Sequence, residues 1–143
     1  MISIELNQSE LKGGQKIPEA LVKKVASVVS KELSIKKNWD VSLGFVADKK
    51  IKELNFLYRG VRSVTDVLSF SLEKETGEIL ISYDQAAKQA KEERHSTRHE
   101  VVFLMVHGLL HLQGFDHEQP KQAEKIFAVQ GKILKKLGVN PKL

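Results

Sequence analysis

Residues 2–6, ISIEL, alternate apolar and polar side chains, the period of a strand with one buried face. From Pro18, whose fixed φ suits the first turn of a helix, Leu21, Val22, Val25, Val28, Val29 and Leu33 recur at helical spacing and predict an amphipathic helix. VSLGFVA, at 41–47, reads as a second strand. Asp48 then caps a short helix in which Ile51, Leu54 and Tyr58 share a face and which Gly60 ends. After the loop RGVRSVTD, strands are expected at VLSFS and EILIS, with a turn around ETGE between them. Beyond Ser82 the pattern changes. Lys, Glu, Gln and Ala dominate residues 84–94 and predict a polar helix, and Ser96 caps another that runs towards Gln113. A last helix starts near Pro120, buries Ala123, Ile126, Phe127, Ile133, Leu134 and Leu137, and stops at Gly138. No repeat, linker or low-complexity stretch intervenes. Residues 1–143 are therefore expected to form a single α+β domain, a small mixed β-sheet packed with about five helices.

A chain of 143 residues is long enough to bury roughly two thirds of its unfolded surface, so no staple is needed merely to fold. Cysteine is absent, which removes disulfides, thiolate ligands and cysteine nucleophiles and leaves histidine, carboxylate and carbonyl groups for any metal. The first ten residues, MISIELNQSE, are unlike a signal peptide, and the longest apolar run, VVFLMV, falls far short of the ~20 residues a membrane span needs. No membrane partner is expected, and the chain reads as cytoplasmic. The net charge of +5, from 23 basic and 18 acidic side chains, leans mildly towards polyanions, although scattered lysines also simply solvate helix faces. Aromatic residues are few and show no interleaving with arginine of the kind that marks a base-stacking platform.

The segment HGLLHLQGFDH, at 107–117, holds three of the five histidines. Residues 101–112 are apolar nearly all round apart from His107 and His111, which predicts a helix inside the domain. Imidazoles there must find partners, because a buried polar group without one costs ~1 to 3 kcal/mol. Positions four apart stand above one another, about 6 Å along the axis, so the two rings can converge on one point. Gly114 breaks the helix, and the turn lets FDH fold back with His117. Three neutral nitrogens facing one ion leave a fourth position for water, at about 2.0 to 2.1 Å from metal to nitrogen. Such an ion lowers the pKa of its water to about 7. A lone histidine on an apolar face is ordinarily a hydrogen-bonded core residue; the third one, placed just after a helix-breaking glycine, favours a metal held by His107, His111 and His117. The spacing reproduces the peptidase pattern HExxHxxGxxH, but Gly108 occupies the slot of its general-base glutamate. Two other carboxylates compete for roles. Glu100, two turns before His107 on the same face, supports the site or is a plain first-turn charge; Asp116 orients a histidine, assists proton transfer or accepts backbone N–H bonds in the turn.

HGLLHLQGFDH, together with LNFLYRGVRSVTDVLSF at 54–70 and GEILIS at 77–82, resembles the YbeY family of bacterial and organellar endoribonucleases. The resemblance implies a zincin-like fold and a trihistidine zinc-type site at His107, His111 and His117. It further implies a functional arginine at Arg59 and cleavage of RNA linked to ribosomal RNA maturation and ribosome quality control. TDVLSF, at 65–70, is similar to the family's strand beside the cleft; where the family generally reads GDI this chain has Gly77, Glu78 and Ile79, and Glu78 is left outside the site. The resulting expectation is a single-strand-directed, metal-dependent endoribonuclease of ribosomal RNA, acting at the 3′ end of the small-subunit molecule. It would carry one zinc ion (Zn2+) per chain, with nickel or another divalent transition ion as alternatives. Arg59 would grip the phosphate, and Asp116 or a solvent molecule would move the proton. Contact with the ribosome or a ribosomal protein is expected, and DNA is not. Two other readings stand beside it: a metallopeptidase or amidohydrolase, and a ribosome-associated binding module whose metal is structural.

Overall fold

The computed structural model describes residues 1–116 and 118–139. The alternating segments form β1 (Ile2–Asn7), β2 (Trp39–Phe45), β3 (Val67–Ser71) and β4 (Thr76–Ile81), joined in one sheet of order β1-β2-β4-β3. β1 and β2 are parallel, as are β2 and β4, while β3 returns antiparallel along β4 and forms an edge. Val41, Leu43 and Phe45 of β2 and Ile79 and Ile81 of β4 are buried on one face, and Ser3, Glu5 and Asp40 stand exposed on the other. Each fully buried Leu or Ile of that face contributes roughly 1.5 to 3 kcal/mol.

Five helices complete the domain: α1 (Glu19–Glu32), α2 (Asp48–Arg59), α3 (Tyr83–Glu93), α4 (Thr97–Leu112) and α5 (Pro120–Lys136). α4 is the central one. Ser96 accepts the His99 N–H at 3.1 Å and starts it, and Val101, Val102, Leu104, Met105, Val106, Leu109 and Leu110 are buried on several of its sides. It lies close against the sheet because two glycines let it. A Cβ on Gly108 would stand 3.0 Å from Ile79 and 3.1 Å from the Ser69 hydroxyl, and one on Gly77 would stand 2.8 Å from Leu112. The helix ends as expected at Gly114, which takes a left-handed φ of 93°. Its N–H bonds the His111 carbonyl at 3.0 Å and that of Phe115 the Leu110 carbonyl at 3.1 Å, a Schellman closure that turns the chain back.

Several local expectations shift. Ala47, not Asp48, occupies the cap position of α2; Asp48 is the first helical residue and accepts hydrogen bonds from Ser82 and Gln85 at the start of α3. Tyr58 is 66% exposed and Asn55 takes its place on the buried stripe, because the last turn of α2 overhangs its packing partners. On α5, Phe127 is 54% exposed, Ala123 is half-buried, and Gln130 points inward. The hairpin turn falls earlier than ETGE: β4 already begins at Thr76, whose N–H bonds the Glu73 carbonyl, and Glu75 takes the left-handed conformation. α1 and α5 are tied at their ends by Glu32, which meets Lys136 and Lys132; their ammonium groups, Lys136 first, hold its carboxyl below the usual range. Among the described residues no helix is long and apolar enough to cross a membrane.

Candidate active site

A cleft of about 720 Å³ opens between the C-terminal half of α4, the edge strand β3 and the end of α2. One wall carries Phe103, His107 and His111; the other carries Arg59, Thr65 and Asp66. Ser69 and Ser71 of β3 also line it, and the turn after α4 adds Phe115 and Asp116. The two histidines are half-buried, being the exposed strip of an otherwise buried helix.

Their rings converge. His107 Nε2 and His111 Nε2 are 3.0 Å apart, with ring centroids at 4.6 Å and planes at 73°. Two nitrogens bound tetrahedrally to one ion at 2.0–2.1 Å stand roughly 3.3 Å apart, so this separation fits a shared ligand position. On its other edge His107 Nδ1 lies 2.7 Å from Gln130 Oε1, and its face is parallel to the Phe103 ring, with centroids at 6.2 Å. His117 lies outside the described residues, and among the described residues no group of three or more histidine or carboxylate side chains converges to hold a metal. Asp116 is half-buried in the cleft lining.

Arg59 ends α2, where Gly60 at φ 71° closes the helix with an N–H bond to the Phe56 carbonyl of 2.9 Å. It is exposed, and it borders the same cleft as the histidines from about fifty residues away in sequence. The loop after it is held by Asn55, whose amide donates to the Ser63 carbonyl at 3.0 Å. Glu78 lines a neighbouring cavity of about 450 Å³ instead, with Tyr58 and Phe70. Glu100 stands in the first turn of α4, as expected, but is no plain surface charge: it is fully buried, and its carboxylate meets His95 Nε2 at 2.8 Å.

Sequence reasoning missed Gln130, although an amide set among Ile126, Ile133 and Leu134 on the buried face of α5 was a signal for an inward polar contact. It also missed two contacts at the end of α2. Tyr58 packs on Phe70 at 4.9 Å and lines a cavity with it and Arg59, and separately the Arg62 guanidinium lies over Phe56 at 4.6 Å. The peptidase pattern's general-base slot is filled by Gly108, and a Cβ there would meet Ile79 at 3.0 Å and the Ser69 hydroxyl at 3.1 Å, so those side chains would have to give way.

A buried helix presenting two histidines four residues apart to a cleft, with an arginine opposite and a mixed sheet beneath, defines the zincin-like α+β architecture of a small hydrolase domain. The family model described as Endoribonuclease YbeY matches residues 3–138, and this chain belongs to that family. The endoribonuclease YbeY of Limosilactobacillus reuteri is 41% identical over 138 residues, covering 83% of this chain and 87% of the relative. That of Shouchella clausii is 34% identical over 157 residues, covering 97% of each. A solution structure of TM1509 from Thermotoga maritima matches with a TM-score of 0.67 at 34% identity, covering 96% of this chain and 89% of that one.

Proposed function

We propose that this chain is a metal-dependent endoribonuclease that hydrolyses phosphodiester bonds in single-stranded or locally open RNA. Its role is in maturation of ribosomal RNA, at the 3′ end of the small-subunit molecule, and in ribosome quality control. RNA cleavage follows from membership of the family; the observation carrying the metal-dependent mechanism is the 3.0 Å approach of His107 Nε2 and His111 Nε2 in a cleft that Arg59 also lines. His107 and His111, with His117 as the third ligand, would hold one zinc ion. When bound, the ion supplies Lewis-acid polarisation of a phosphoryl oxygen and a water of lowered pKa.

The chain's own residues do the rest. Arg59 grips two phosphate oxygens and balances the charge that builds on them during displacement, which its planar fork does better than an ammonium. Asp116, from the turn after α4, carries the proton between the attacking oxygen and the leaving oxygen. Tyr58 and Phe70, which line the neighbouring cavity with Arg59, offer rings on which unpaired bases stack, and a duplex, whose bases are already stacked, gains nothing from them. A net charge of +5 supports contact with the ribosome, and the cytoplasm is where that substrate lies. In the test, His111→Ala is assayed on a labelled single-stranded RNA under single-turnover conditions. The cleavage rate should fall to background; a variant that cleaves at the wild-type rate overturns the reading.

A further inference from the structure

The last helix contributes a residue to the cleft without lining it. Gln130 is 3% exposed, and its neighbours on the same stripe, Ile126, Ile133 and Leu134, are fully buried. An amide moved into such surroundings costs several kcal/mol unless it is hydrogen-bonded, and an aliphatic side chain would fill the same space without that cost. The bond that offsets the cost goes to the His107 ring, at 2.7 Å.

We propose that Gln130 is a positioning residue that fixes His107 as its Nδ1–H tautomer, so that the Nε2 lone pair faces the cleft before any ion arrives. An amide oxygen only accepts, so with Oε1 facing Nδ1 the proton resides on Nδ1, and Nε2 is left as the acceptor. The 3.0 Å approach of His111 Nε2 leaves room for this assignment, since a His107 Nε2 without its own proton can accept there. The ring is then held on three sides, by Gln130 at Nδ1, by His111 at Nε2 and by Phe103 on its face. Because the amide is neutral, it orients the ring without adding negative charge beside the ion, which keeps its full Lewis acidity. The same bond links α5 to α4 at the level of the cleft, so the packing of the last helix sets the direction of a ligand on another.

The proposal rests on the reading of His107 as a metal ligand, but its first test needs no metal. Long-range proton–nitrogen NMR correlations on metal-free protein, at a mildly alkaline pH where imidazoles are neutral, report the tautomer of each histidine. Wild-type His107 should be the Nδ1–H form; an Nε2–H form overturns the proposal outright. In Gln130→Leu the Nδ1–H preference should be lost and zinc affinity should fall by ~10 to 100-fold, the usual loss when a ligand's supporting hydrogen bond is removed. Gln130→Glu, which keeps an acceptor at the same place, should retain the tautomer and bind zinc at least as tightly as wild type. A Gln130→Leu variant with wild-type affinity and tautomer, or a Gln130→Glu variant that loses the Nδ1–H form, would contradict the proposal. Should Gln130→Leu fail to fold, the wild-type spectrum and Gln130→Glu still decide it. A wild-type protein with the Nδ1–H form that binds no zinc would leave Gln130 as a tautomer clamp and sink the metal-site reading instead.

Discussion

The two walls of the cleft are gripped very differently by the fold. On the histidine wall, α4 is buried on most sides, Gly108 lets it touch the sheet, and His107 is tied to Gln130 and stacked on Phe103. On the opposite wall, Arg59 comes from the last turn of α2, where Phe56, Leu57 and Tyr58 are exposed and Asn55 anchors the following loop through one amide. The difference suits the chemistry proposed for each wall. Ligands for an ion have to be placed within fractions of an ångström, and packing supplies that; a polymer substrate of varying sequence is better met by long, hydrated side chains that adjust.

Breaking the rigid wall should have the largest effect. Gly108→Glu restores the general-base slot of the peptidase pattern but brings a Cβ to 3.0 Å from Ile79, where α4 meets the sheet, and a carboxylate to a buried position. Overpacking costs about 1 to 3 kcal/mol and an unpaired buried charge adds more, so a loss of about 3 kcal/mol or greater is expected in chemical denaturation. A variant that keeps the wild-type midpoint would show that α4 is not seated as described. On the adjustable wall the result should be the reverse. Arg59→Ala should leave stability within about 0.5 kcal/mol while lowering kcat/KM on RNA by ~10²-fold, with Arg59→Lys recovering only part of it. A large fall in Tm for that variant would mean that the two walls are alike.

The smallest effect lies away from both walls, at Glu32. Its carboxyl is held below the ordinary range by Lys136 and Lys132, so it contributes stability above that range and loses it as pH falls through the lowered value. Glu32→Gln should therefore lower Tm slightly at neutral pH, less in high salt, and not at all in strong acid. Equal effects at neutral and acid pH would remove the ion pairs from the account.

The rigid wall was also the more legible one in the sequence. The apolar run around His107 and His111, the Ser96 cap and the bend at Gly114 are written in local spacing, and each appears where the pattern puts it. What local spacing lacks is the identity of the element opposite. A helical wheel places Glu100 on the face of His107 but does not reveal that His95 closes on it first, and it places Gln130 inward without naming the ring it meets. Tyr58 and Phe127 follow the apolar period of their helices yet stand exposed, because the period continues where the neighbouring layer stops. The two arginine and aromatic contacts at the end of α2 were missed for a related reason. Phe56, Tyr58 and Arg59 are adjacent in sequence, but Phe70 arrives from a strand and Arg62 folds back from the loop.

Under the proposed function, imidazoles aimed into one cleft hold an ion without which RNA is not cut. To check it, the protein is stripped with a chelator, the chelator is removed, and cleavage of a single-stranded RNA is followed as zinc is returned. Cleavage should vanish in the stripped, still folded protein and return in full at one equivalent of zinc per chain. Undiminished cleavage by protein shown to be metal-free would contradict it.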